Sequence, residues 1–114
     1  MVDVRGTPPV PPNTHTEQAV WLGPDEYLAL DARAGGADVS DQRTAIDITG
    51  PDARRRVARG CTLDLRPSAF PPGAAAQTLV AQAPAIILAH TDGLRLLVPS
   101  SYAGHIRGWL QATR

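Results

Sequence analysis

Three short apolar runs follow one another near the carboxyl end of the chain, and the breakers between them constrain the fold more than any other feature. The runs are QTLVAQ, AIILAH and GLRLLV, with Pro84 after the first and Asp92-Gly93 after the second. Runs of this length, rich in Leu, Ile and Val and bounded by turn residues, are typical of β-strands. We therefore predict three strands here, the last two paired as a hairpin.

The residues before these runs predict further strands and one helix. AVWLG and EYLALD, separated by Gly23-Pro24, indicate a hairpin, and TAIDI alternates apolar and polar residues as a half-buried strand does. Pro51 suits the first turn of a helix and Gly60 suits its end, so we predict a helix over residues 51–59. The proline-rich stretch TLDLRPSAFPPGAAA is then a connector.

A second helix is predicted at the carboxyl end, from Ser100 or Ser101 as the cap to about Thr113. Its apolar stripe has helical spacing and contains Tyr102, Ile106, Trp109 and Leu110. The order of elements predicts an α+β domain, with an antiparallel sheet and two helices on one side, close to a ferredoxin-like split arrangement.

The amino-terminal residues differ from the rest because prolines occupy positions 8, 9, 11 and 12. Proline fixes its own φ and has no N–H to donate to a strand ladder, so we interpret residues 1–17 as a flexible, Pro-rich arm. Residues 18–114 are then one domain.

Composition excludes several classes of function. Eleven basic residues, all of them Arg, balance eleven acidic ones, so no net charge draws the chain to nucleic acid or to an anionic membrane. The longest apolar run, Ala83 to Ala89, is too short to span a bilayer, and a cytoplasmic protein is expected. With 4% aromatic residues, the core is shallow and would gain from a partner surface.

The arginine-rich segment DARRRVAR raises the question of an anion site. On a helix, Arg55, Arg56 and Arg59 share one face with Asp52, opposite the apolar residues, which favours a solvated or subunit-facing surface. Contact with nucleic acid or with an anionic cofactor are the alternatives. The polar stretch DVSDQR, residues 38–43, is either a hydrogen-bonded turn or a contact to a partner or substrate.

No catalytic, cofactor-binding or metal site is predicted. Cys61 follows a helix C-terminus, where the helix dipole disfavours a thiolate, so we interpret it as a structural thiol. The histidines His15, His90 and His105 lack the spacing of metal ligands.

Taken together, the motifs resemble the gamma subunit of heterotetrameric sarcosine oxidase. The resemblance covers roughly residues 18–111 and is carried by DVSDQR, AIDITGPDARRRVARGCTLDL, AF-PPG-AAAQTLV, AIILAH and SSYAGHIRGWL, in that order. The chain departs from the family in its short amino end, in Ala75 and Ala76, and in Ser100, so a relative acting on another N-methyl or cyclic secondary amine is an alternative.

The resemblance implies a complex of alpha, beta, gamma and delta chains that oxidatively demethylates a secondary N-methyl amine. FAD, FMN, NAD and tetrahydrofolate are then expected in the larger chains and not in this one, whose fold would be related to that of aminomethyltransferase and folate-binding proteins.

The leading hypothesis is therefore a non-catalytic gamma subunit whose partners are the alpha, beta and delta subunits, with no nucleic acid and no membrane. The alternatives are a free-standing folate- or small-ligand-binding module and a scaffold protein. Arg and aromatic residues are enriched where subunits meet, and the DVSDQR loop is a further candidate. The predicted interface residues are Asp41, Gln42, Arg43, Arg54, Arg55, Arg56, Phe70, Tyr102 and Trp109.

Overall fold

The computed structural model describes residues 2–17, 19–30, 37–38 and 43–113. These residues form eight strands and two α-helices, the second of which is preceded by a short 3-10 turn at Ser100–Tyr102. In chain order the elements are β1 (Val2–Arg5), β2 (Ala19–Gly23), β3 (Glu26–Ala29), β4 (Ala37–Asp38), β5 (Arg43–Thr49), α1 (Ala53–Ala58), β6 (Ala75–Val80), β7 (Ala83–His90), β8 (Gly93–Pro99) and α2 (Ala103–Ala112).

The strands belong to two antiparallel sheets of four strands each. The small sheet has the order β2-β3-β1-β4, and the main sheet has the order β5-β8-β7-β6. In the main sheet, β6, β7 and β8 are consecutive hairpins, whereas β5 pairs with β8 from Arg43 opposite Pro99 to Thr49 opposite Gly93. Its two edges are therefore β5 and β6.

The main sheet is covered on both faces. One face packs against the buried residues of the two helices, such as Val57 of α1 and Ile106 of α2. The other face packs against Val20 and Leu28 of the small sheet. Successive side chains of β7 point to opposite faces of the main sheet, so they alternate between the helix side and the small-sheet side. Because both faces are covered, β7 is buried continuously from Ala85 to Ala89.

The α+β class, the antiparallel pairing and the two helices are confirmed. The strands are divided between two sheets, whereas a single sheet is predicted above. The predicted strands and helices all lie within a few residues of observed elements. The predicted cap is wrong, because Ser100 and Ser101 lie in the 3-10 turn and the N-cap of α2 is Tyr102.

No element is predicted for residues 1–17, whereas in the structure β1 lies there and pairs between β3 and β4. Further along, Thr14 forms an isolated bridge with Ala74, and His15 forms one with Val20. A strand of four residues is too short to show a clear alternation of apolar and polar residues in the sequence. Its partners, β3 and β4, are distant in the chain and cannot be inferred from local pattern. The division of the chain at residue 17 remains a prediction.

Neither helix in the described part of the chain has the length and apolar character that crossing a bilayer requires.

Candidate interaction surface

The arginine-rich helix α1 is attached to the rest of the molecule by its own guanidinium groups. Nη1 of Arg54 donates hydrogen bonds to the carbonyl oxygens of Leu65 (2.7 Å) and Phe70 (2.6 Å). Both acceptors belong to buried residues of the connector between α1 and β6. Arg54 therefore fixes the path of a segment that has no secondary structure of its own.

Two further arginines bond to the end of α2. Nη2 of Arg56 donates to the carbonyl oxygen of Leu110 (2.7 Å), and Nη1 of Arg59 donates to that of Thr113 (2.6 Å). The last carbonyls of a helix lack intrahelical partners, and positive charge near them is favourable. The outward face predicted for Arg56 and Arg59 is thus a contact between the two helices.

Arg55 is the member of the predicted arginine face that does not bond to α2. Its Nη2 lies 2.9 Å from the carboxylate of Asp52, and the two side chains are 67% and 63% exposed. The two residues are three positions apart on the helix, and such an exposed pair contributes little to stability. Among the three consecutive arginines, Arg55 is therefore the one available to a partner.

The predicted aromatic anchors have three different environments. Phe70 is 4% exposed and belongs to the core, so it cannot serve as a surface anchor in this conformation. Trp109 is half-buried against the core, where a Cβ built on Gly60 would lie 2.6 Å from its Cζ2 atom. Tyr102 is 39% exposed, in the 3-10 turn before α2.

The predicted Asp41–Arg43 contact is described only in part, since Asp41 and Gln42 lie outside the described residues. Arg43 begins β5 and is half-buried. It borders a surface cleft of about 290 Å³ that Gln77, Pro84 and Pro99 also line.

A second cleft, which the sequence analysis missed, lies at the β6 edge of the main sheet. Its volume is about 550 Å³, and Leu79, which at 57% is the most exposed large hydrophobic residue in the described part of the chain, forms part of its wall. The signal for it was present in the sequence, because QTLVAQ contains no charge and natural edge strands usually carry one. The lining residues are Gly60, Thr62, Thr78, Leu79 and Gln82.

Two histidines meet where the amino-terminal segment crosses β7. The rings of His15 and His90 are in edge-to-face contact with centroids 5.0 Å apart, and Nε2 of His15 donates to the carbonyl oxygen of Ala89 (2.9 Å). Nε2 of His90 is buried and has no partner among the described residues. Burial lowers the pKa of His90, and the nearby His15 and Arg95 lower it further, against the opposing effect of Asp47 and Asp92.

The remaining candidate ligands are dispersed. Cys61 is half-buried, packs against the core and has its Sγ atom 4.0 Å from Oγ1 of Thr78. His105 donates from Nε2 to the carbonyl oxygen of Ala81 (2.8 Å). Within residues 2–17, 19–30, 37–38 and 43–113, no three His, Cys, Asp or Glu side chains are grouped as metal ligands would be.

Comparison with known proteins gives a consistent result. Residues 31–114 match the family model described as "Sarcosine oxidase, gamma subunit family". Sarcosine oxidase subunit gamma from Corynebacterium sp. (strain P-1) is 28% identical over 108 residues, covering 80% of this chain and 53% of the relative. The subunit of the same name from Arthrobacter sp is 30% identical over 84 residues, covering 60% and 41%. The chain spans about half the length of these curated relatives.

The fold also has a counterpart among solved structures. A chain of "Heterotetrameric Sarcosine Oxidase from Corynebacterium sp. U-96 in complex with pyrrole 2-carboxylate" superimposes with a TM-score of 0.78 at 22% identity. The match covers 98% of this chain and 77% of that one. The layered arrangement of the two sheets and two helices is therefore an arrangement already seen in an experimental structure.

Proposed function

The chain belongs to the sarcosine oxidase gamma subunit family, and we propose on that basis that it is a small, non-catalytic subunit of a heterotetrameric, sarcosine oxidase-like flavoenzyme. The observation that carries the proposal is the family match over residues 31–114. The fold supports it, because a chain with the same layered arrangement occurs in the solved heterotetrameric sarcosine oxidase from Corynebacterium sp. U-96.

The proposal assigns the chemistry to partner chains. These partners are the alpha, beta and delta subunits, which hold FAD, FMN, NAD and tetrahydrofolate, and the complex oxidatively demethylates sarcosine or a related secondary N-methyl amine. The one-carbon unit passes to tetrahydrofolate in the large subunit. The role of this chain is to contribute packing surface to the assembly.

The predicted interface residues differ in the exposure of their side chains, and only the exposed ones can contact a partner without a change in the fold. Arg55 and Tyr102 present exposed side chains, and Arg43 and Trp109 present partly exposed ones. Arg54 and Arg56 use their guanidinium groups within the chain, and Phe70 is core. We therefore place the proposed contact on Arg43, Arg55, Tyr102 and Trp109, with Asp41 and Gln42 as adjoining residues that stay predictions.

The test is co-expression of the tagged chain with the larger chains encoded beside it, followed by affinity purification and a visible absorption spectrum. We expect larger chains in fixed stoichiometry and a flavin spectrum. A colourless chain that purifies alone would contradict the proposal. Folate titration would then be the next step, because a ligand that binds only the native state raises its melting temperature.

A substitution then examines the proposed contact. Arg55→Glu should weaken assembly while leaving the melting temperature of the chain nearly unchanged, because its pair with Asp52 is exposed. Arg107→Glu, on the exposed side of α2, is the matched control of equal charge change. Unchanged co-purification of Arg55→Glu would remove α1 from the interface.

A further inference from the structure

The outer edge of β6 exposes backbone groups whose direction follows from the pairing. In an antiparallel pair, residues alternate between those that bond to the neighbouring strand and those whose N–H and C=O point away. The N–H of Ala75 points away from β7, because it donates to the carbonyl oxygen of Asn13 (2.7 Å). By the same alternation, the backbone groups of Gln77 and Leu79 also point away from β7.

At both ends of this edge, backbone groups already bond to other segments of the same chain. At one end, the N–H of His15 donates to the carbonyl oxygen of Gly73 (2.8 Å), next to the Asn13 bond. At the other end, the N–H of Ala81 donates to the carbonyl oxygen of Gly60 (2.9 Å). Between them lies a short segment, Gln77–Leu79, which we call the edge window.

The edge window carries none of the charged residues that usually protect an exposed strand, although the side chain of Gln77 donates from Nε2 to the carbonyl oxygen of Leu22 in β2 (2.8 Å). The opposite edge, β5, carries the charged residues Arg43 and Asp47, and such charges discourage pairing with another chain. The residues that line the cleft at the edge window are all uncharged, and Leu79 is 57% exposed. Within the described residues, the outward backbone groups of Gln77 and Leu79 have no backbone partner, and such groups beside an exposed leucine favour an added strand.

We propose that the edge window binds an extended, uncharged segment of a larger subunit, which adds a strand to the main sheet and places an apolar side chain against Leu79. This inference rests on the proposed function and names the partner's mode of contact. The uncharged lining argues for an uncharged segment, because a charged side chain buried there would have no partner. Hydrogen bonds to the backbone of Gln77 and Leu79 would set the register of the added strand. The cleft would favour an apolar residue in that strand.

Two substitutions at Leu79 test the backbone and side-chain parts separately. Leu79→Pro removes an N–H that points away from β7, so it spares the β6–β7 ladder, while Leu79→Arg places a charge over the cleft. Ala45 offers matched controls, because it is an exposed residue of the other edge strand and its N–H also points outward. Each variant is co-expressed with the larger chains, and recovered complex and melting temperature are measured.

We expect both Leu79 variants to lower the recovered complex about tenfold or more, with both Ala45 variants near wild type and all melting temperatures within a few degrees. Full recovery with both Leu79 variants overturns the proposal, as does equal loss with both Ala45 variants. A wild-type chain that dimerises through the edge window by itself, with Leu79→Arg monomeric, also overturns it. If wild type recovers no larger chain, the proposed function fails, which is a distinguishable result.

Discussion

Replacing Arg54 with Met should destabilise the chain by about 2–3 kcal/mol. One nitrogen of Arg54 donates to two buried residues of the connector, at 2.7 and 2.6 Å. A hydrogen bond to a charged group contributes about 1.5–3 kcal/mol, and an acceptor left without a partner adds a desolvation cost. The expected loss is smaller than the sum of two such bonds, because both bonds come from one nitrogen and the Arg54 side chain is only half-buried. Met retains the aliphatic stem, so lost packing contributes little.

The assay is urea unfolding followed by circular dichroism, with the slope of the transition checked for two-state behaviour. For a domain of this size, we expect Tm to fall by roughly 10 °C. Arg55→Met is the control, since its exposed pair with Asp52 should contribute less than about 0.5 kcal/mol. Arg54→Lys should recover part of the loss, because an ammonium group can also donate to two carbonyls. Equal unfolding curves for the Arg54→Met and Arg55→Met variants would refute the reasoning.

Three further predictions concern backbone conformation, packing and pH. Gln82→Gly should stabilise the β6–β7 hairpin by up to about 1 kcal/mol in the same unfolding assay, since Gln82 has φ 70° in the turn. Gly60→Ala should destabilise by about 1–3 kcal/mol in that assay, because its Cβ would lie 2.6 Å from Trp109. Acidification from pH 7 to 5 should lower the free energy of unfolding, because the lowered pKa of His90 lets the unfolded chain bind a proton more readily than the native chain.

Each of these predictions has a control. Thr91→Gly, at an exposed turn residue without a positive φ, should not stabilise, and equal gains would contradict the conformational argument. Gly104→Ala, in open space within α2, should be neutral or stabilising, in contrast to Gly60→Ala. His90→Gln should flatten the dependence of stability on pH, and an unchanged slope in that variant would assign the effect to another group.

Much of the fold could be predicted from the sequence because its signals are local. The apolar runs, the Asp92-Gly93 turn and the stripe of α2 depend on neighbours in the chain, and each predicted an element now confirmed. The division into two sheets could not be read this way, since β1 reaches β3 and β4 through pairings that local pattern does not specify.

The candidate surface was harder to predict for the same reason. Helical geometry correctly grouped Arg55 with Asp52, but it could not show that Arg56 and Arg59 reach carbonyls of a helix some 54 residues away. Phe70 looked like an anchor from its residue type, and only tertiary packing shows that it is core. The edge window needed the pairing register, although the uncharged QTLVAQ run marked its strand.

The pairing of β5 with β8 affects how the chain can fold as it leaves the ribosome. Asp47 of β5 accepts a hydrogen bond from Arg95 of β8, which lies 48 residues later in the chain. Both β5 and α1 therefore emerge well before β8, the strand with which β5 pairs. At typical rates of synthesis the interval is roughly 2–10 s. During it, β5 lacks the strand that pairs with it, and Ile46 and Ile48, which are buried in the folded chain, belong to an unpaired apolar strand of the kind that favours aggregation.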